Sequence, residues 1–240
     1  MQEMQETRHS EEDHRNISGG GFRAAVFGLS DGLVTNVSLI LGVAGAHPGG
    51  PFVRLAGVAG LVAGAFSMAA GEFVSMRAQT ELMQRELEVE RVALRNWPSD
   101  ERDELVAIYV NRGIRQRVAE QLVDEIMADP ELALETHARE ELGFDPRAIG
   151  SPVQASVSSF FSFALGAILP LIPWLVGSGT GATVASVGIG AVTALLVGFL
   201  LGAMTGRSRW KSAVRQLGVA ALAAAVTYGI GRLVGVGAGA

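Results

Sequence analysis

The chain has 240 residues, 49% of them hydrophobic, a net charge of −5 and no cysteine, which excludes disulfides, thiolate metal sites and cysteine nucleophiles. Charge is segregated: residues 148–206 hold no charged side chain, whereas residues 77–147 hold ten Arg against seventeen Asp or Glu, a balance of −7. That is the composition of an all-α membrane protein with one acidic insert, not of a uniformly soluble globule, and it offers no basic, aromatic-rich patch for nucleic acid.

In chain order, residues 1–21 are polar and end in a glycine run, so they read as a mobile tail. They do not have the basic start and apolar core of a cleavable signal. His9 and His14 in this tail are weak metal candidates, better read as solvated. Five apolar segments follow, at residues 22–46, 52–76, 152–176, 182–205 and 212–236. Each is long enough for the roughly 20 residues a transmembrane helix needs. Helix breakers separate the first two (HPGGP, 47–51) and the third and fourth (GSGTG, 177–181). Pro170 and Pro173 should kink or end the third. Gly28 with Gly32, Gly60 with Gly64, and the row Gly198, Gly202, Gly206 have the small-xxx-small spacing of close helix contacts.

Orientation follows from basic residues in short loops. The connection between the fourth and fifth segments carries Arg207, Arg209, Lys211 and Arg215, and that between the third and fourth carries none. The former is thus expected in the cytoplasm, together with the N-terminus and the insert, and the C-terminus outside. The expected organisation is a tail (1–21), transmembrane helices 1 and 2 (22–76), a cytoplasmic helical metal-binding insert (77–147) and transmembrane helices 3 to 5 (148–240). The insert reads as helical throughout. Residues 77–96 extend the second span, Pro98 and Ser99 open a new helix, and Gly113 ends it. Helices over residues 114–127 and 130–142 follow, the latter closed by Gly143.

Two acids lie inside apolar segments, Asp31 in the first and Glu72 in the second. An ionisable group at that depth costs several kcal/mol, roughly 2.5–3.5 on insertion scales, and marks an ion path, a proton relay or a ligand site. Met68, Glu72 and Met76 are spaced i, i+4, i+8 on one helix face, and Met83, Glu86 and Glu90 continue the line into the insert. Thioether with carboxylate suits a divalent transition metal better than Mg²⁺ or Ca²⁺. Within the insert, the like charges of Glu86 and Glu90 repel at i, i+4 unless a cation or a nearby arginine offsets them. Glu101 and Glu104 sit at a helix start, where acids are favoured without any metal. His137 and Glu141 sit at i, i+4 near a helix end, where the dipole disfavours anions, and are the stronger metal signal of the three pairs.

The runs GLSDGLVTNVSLILGVAGA and GLVAGAFSMAAGEFVSMRAQTE, with RELEVER, ERDELVAIY, EELGFDP, SFALGAILPLIPWL and TGRS, resemble the vacuolar iron transporter family over nearly the whole chain after the tail. The resemblance implies a homodimer of five-span protomers with an ion path at the dimer interface. It implies export of Fe²⁺, and often Mn²⁺, from the cytosol in exchange for protons, with no prosthetic group. It makes Asp31 and Met68 membrane metal ligands and places Glu72 near the cytoplasmic mouth, with Glu90, Glu101, Glu104 and Glu141 as insert ligands. Two positions depart from the pattern: Ala93 stands where another acid is expected, and His137 where methionine is usual. Metal ions, protons, lipid and a second copy are the expected partners, and a cell (inner) membrane the expected location. Two rival classes are a membrane-anchored metal buffer or sensor without transport, and an intramembrane enzyme built on Asp31 and Glu72, which the neighbouring methionines disfavour.

Overall fold

The computed structural model describes residues 20–46 and 49–238. The tail histidines His9 and His14 and most of the expected 1–21 tail lie outside the described residues, as does part of the 47–51 turn. The described residues form eight α-helices, one short 3₁₀ turn (Pro146–Ala148) and no strand. The helices are α1 (Gly20–Gly45), α2 (Gly50–Asn96), α3 (Pro98–Asn111), α4 (Gln116–Met127), α5 (Pro130–Glu140), α6 (Pro152–Val176), α7 (Gly179–Met204) and α8 (Arg209–Ala238). Five of these, α1, α2, α6, α7 and α8, are long and apolar enough to cross a membrane.

Helix α1 is the hub of the apolar part, packing against α6 above all and also against α8, α2 and α7. Missing side chains make the α1–α6 contact possible. A Cβ on Gly28 would lie 2.9 Å from the carbonyl oxygen of Ser159, one on Gly32 would collide with the Phe163 backbone, and one on Gly166 with the Leu29 carbonyl. The same device joins α7 to α8, where a Cβ on Gly198 would lie 2.6 Å from the Ser212 carbonyl oxygen and one on Gly202 2.7 Å from Arg209 Cα. In a bilayer, where lipid offers no hydrophobic drive for helices to associate, such close backbone approach supplies the packing energy. Gly206 does something else: it lies past the end of α7 with φ of +65°, open space around it, and serves the turn into α8.

The prolines of α6 do not end it early; the helix runs through both and stops at Val176. Each proline removes an N–H from the ladder, and side chains of neighbouring helices bond carbonyls in this stretch. Asn36 Nδ2 of α1 donates to the Ala167 carbonyl at 2.6 Å, and Ser186 Oγ of α7 donates to the Pro170 carbonyl at 2.6 Å.

Helix α2 has 47 residues and is unbroken. At 1.5 Å per residue it is about 70 Å long, more than twice the hydrocarbon core of a bilayer, so its second half projects into the insert. There it meets α3 and α5, which pack with α4 around a core of Leu105, Val106, Ala119, Val123, Ile126 and Ala133. Local signals set the ends of these helices. Gly113 and Gly143 have φ of 93° and 75°, closing α3 and α5 in the left-handed region. Asp129 caps α5 by accepting from the Glu131 and Leu132 N–H groups, ahead of Pro130 in the first turn. Helix α4 starts two residues later than the sequence pattern suggests, because Ile114 and Arg115 are spent on the turn after Gly113.

Gly32→Val forces a side chain into the α6 backbone. It should lower stability by at least the ~1–3 kcal/mol typical of overpacking, whereas Gly188→Ala, with nothing within 4 Å of an added Cβ, should be neutral. Thermal unfolding of both variants in detergent checks the pair, and equal midpoints would contradict this account of α1–α6 packing.

Candidate metal centre

The insert gathers Glu90 from α2, Glu101 from α3, and His137 with Glu141 from the end of α5. Each offers a ligand atom, and these atoms lie within 4.8 Å of one another. Among the described residues this is the one group of three or more Asp, Glu or His side chains gathered so closely. His137 Nδ1 lies 3.1 Å from Glu90 Oε1, 3.5 Å from Glu141 Oε2 and 3.8 Å from Glu101 Oε2. His137 is fully buried and Glu90 nearly so. Two of the buried atoms lack a hydrogen bond: His137 Nε2, and Glu90 Oε1, which is within ion-pair distance of the imidazole but poorly aligned with it.

Helix geometry explains why these four residues meet. His137 and Glu141 are one turn apart, so both face the same way, and α5 packs on α2 at Glu90. Glu101 lies in the first turn of α3, which leaves α2 through a single residue, Trp97. The position of α5 is fixed from behind by arginines: Glu135 bonds both Arg139 and Arg147, Arg139 Nη2 reaches Asp145 at 3.2 Å, and Arg112 pairs with Glu140. These arginines pair with acids outside the cluster, and no arginine is among the charges that act on Glu90 or Glu101.

The electrostatics follow. Burial above all, with the neighbouring charges of Glu141, Glu101 and Glu104 acting the same way, raises the Glu90 carboxyl from its ordinary 4.5 to about 7. Burial also raises Glu101, with His137 opposing and Glu104 and Glu141 adding. Three carboxylates and an imidazole, with Glu90 and His137 buried, Glu101 partly buried and Glu141 open to solvent, form an arrangement that a divalent cation would stabilise by replacing mutual repulsion with attraction. The donor set is oxygen and nitrogen only, which suits Mn²⁺, Fe²⁺ or Zn²⁺ rather than a soft ion such as Cu⁺. The remaining expected insert residues stand apart. Glu104 acts on the cluster through its charge but is not among the gathered ligands, and Glu86 is half-buried on α2 one turn before Glu90.

The membrane residues are distributed differently. Asp31 is exposed on α1 and accepts a hydrogen bond from Thr35 Oγ1 at 3.2 Å. Met68 is half-buried against the cluster of Ala65, Phe163 and Ala167. Glu72 is half-buried on α2, and Met76 is buried, its methyl group against Gly150 at the start of α6. Reasoning from the sequence did not single out Thr35, one turn from Asp31, or the fully buried Asn36. The available signal was simply a polar pair inside an apolar run.

The pH dependence has a definite sign. With its pKa raised, Glu90 holds a proton in the folded chain that the unfolded chain has released, so in the absence of metal it opposes folding increasingly as pH rises from 4.5 to about 7. A bound cation must displace that proton. Mn²⁺ should therefore raise the thermal midpoint more at about pH 7.5 than at about pH 5.5, and Glu90→Gln should remove most of the difference. Equal Mn²⁺ effects at both pH values would show that Glu90 takes no part.

Comparison with known proteins agrees with this architecture. The VIT family profile matches residues 22–232. Vacuolar iron transporter 1 of Oryza sativa subsp. japonica is 29% identical, with 95% of this chain and 91% of that protein aligned. The vacuolar iron transporter of Acanthamoeba castellanii (strain ATCC 30010 / Neff) is 35% identical, with 92% and 82% aligned, and that of Toxoplasma gondii (strain ATCC 50861 / VEG) is 30% identical, with 95% and 78% aligned. With its five membrane-length helices and intervening helical insert, the chain belongs to the VIT family.

Proposed function

We propose that the protein exports Fe²⁺, and also Mn²⁺, from the cytosol in exchange for protons. The observation that carries this reading is continuity: Glu90 of the gathered cluster and Met68, Glu72 and Met76 lie on one unbroken helix, α2. The insert faces the cytoplasm, a placement supported by the basic residues of the α7–α8 connection and by the lack of basic residues between α6 and α7. Glu90, Glu101, His137 and Glu141 capture the ion there, with Glu86 and Glu104 adding negative charge along its approach. Glu72 and Met76 receive it at the membrane edge, and Asp31 with Met68 binds it within the membrane. Protons arriving from the other side compete with the metal for Asp31, which couples proton entry to metal release.

The working unit is a homodimer. An exposed carboxylate at membrane depth needs cover from lipid, and the second span, α2, presents Phe52, Val62, Phe66 and Phe73 as exposed apolar side chains. A second copy against this face would shield Asp31 and bring a second Asp31 and Met68 to a shared path.

A membrane-anchored metal buffer is the second reading, favoured by one observation: among the described residues of a single chain, only those of the insert are gathered into a cluster. Metal flux into liposomes carrying the purified protein separates the two. Fe²⁺ and Mn²⁺ flux should depend on an opposing pH gradient and fall to background in Asp31→Asn, while His137→Ala lowers the rate at low metal concentration without abolishing flux. Tight metal binding with no flux under any gradient would establish the buffer, and full transport by Asp31→Asn would remove that residue from the path.

A further inference from the structure

At the end of the apolar bundle opposite the insert lies a cavity of about 440 Å³ that the transport reading does not use. It forms where two helices begin. Gly49 is the N-cap of α2 and Ser178 that of α7, and neither start has a side-chain cap hydrogen bond. The two starts touch, since a Cβ on Gly50 would lie 2.9 Å from Ser178 Cβ. All of Gly49, Gly50, Ser178 and Gly179 line the cavity. The first backbone N–H groups of α7 have no intrahelical partner, whereas at α2 only that of Gly50 is open, because Pro51 has no N–H and the Phe52 N–H bonds the Gly49 carbonyl at 3.0 Å; open N–H groups at a helix start favour anions. Helices α1 and α6 end nearby, but closing carbonyls there have donors: Ala46 N–H bonds the Val43 carbonyl at 3.1 Å and Gly177 N–H the Pro173 carbonyl at 2.9 Å.

Independent observations point to a ligand with acceptor atoms. Trp174 lines the cavity, is 3% exposed, and its indole Nε1–H has no hydrogen-bond partner. An indole N–H can only donate. The charge balance has the matching sign. No acid occurs in residues 32–71 or 146–240. Arg54 lies one turn along α2 from Gly50, and Arg232 one turn along α8 from Tyr228, another cavity residue, so each arginine shares a helix face with a lining residue. Neither arginine has an ion-pair partner among the described residues.

We propose that this cavity binds an oxyanion, the phosphate group of a lipid headgroup or of free inorganic phosphate, through the open helix starts and Trp174, with Arg54 and Arg232 as counter-charges. Its consequence for transport, which alone rests on the preceding reading, is to neutralise two arginines at the end where a divalent cation leaves. Binding itself is tested without metal or flux. The purified full-length chain in neutral detergent is melted at equal ionic strength in chloride, in inorganic phosphate, and with a short-chain phosphatidic acid. The midpoint should rise with at least one phosphate probe; a rise with phosphatidic acid alone identifies a lipid site, and a rise with inorganic phosphate identifies a site for the free ion. Trp174→Phe, which keeps the ring, and the double variant Arg54→Gln with Arg232→Gln should each weaken the response about tenfold in probe concentration, as expected for loss of bonds to a charged group. Retained helical circular dichroism shows that each variant has folded. No rise with either probe in the unaltered chain, or an unchanged rise in both folded variants, would overturn the proposal.

Discussion

Hydrocarbon does not tolerate an unpartnered charge, and the layout of this chain follows from that constraint. Between Asp31 and Glu72 there is no acid, and after Asp145 there is none at all. The apolar helices associate by bringing backbones together at Gly28, Gly32 and Gly166, and by placing two buried polar side chains, Asn36 and Ser186, against carbonyls of a neighbouring helix. Each bonds a carbonyl of the proline-bearing part of α6, joining three helices at one level.

The acids excluded from the apolar region concentrate in the insert, where water and arginines can compensate most of them. Surface pairs such as Arg77 with Glu81 and Arg102 with Asp124 are exposed and contribute little to stability. The cluster of Glu90, Glu101, His137 and Glu141 differs because Glu90 and His137 are buried and the nearby Arg139 and Arg147 pair with Glu135 instead. Its like charges are held together by the small core of the insert and by the Glu135–Arg147 contact behind α5, at a cost that a cation would offset.

Helix α2 relates the two regions. Because it is a single rigid element, the position of Glu90 relative to Glu72 is set by helix geometry alone, without a hinge between insert and membrane. The exposed position of Asp31 in one chain is what makes a second copy part of the functional reading.

Much of this was determined by the sequence alone. Five apolar runs of bilayer length, an insert without strand patterning, and breakers at Gly113, Gly143 and the proline-led helix starts specify elements within a few residues, because these are local signals read from hydropathy and backbone preference. Individual candidates were legible too: Glu90 and His137 stand in marked positions on their helices. Only the tertiary structure decided which acids meet. Spacing along a helix cannot say that Glu90 and Glu101 join His137 and Glu141 while Glu86 and Glu104 remain outside the cluster, since that depends on how α3 and α5 fold back onto α2. Nor can spacing distinguish Gly198 and Gly202, which seat a neighbouring helix, from Gly206, which turns the chain: the same four-residue interval serves a packing surface inside a helix and a left-handed turn beyond its end.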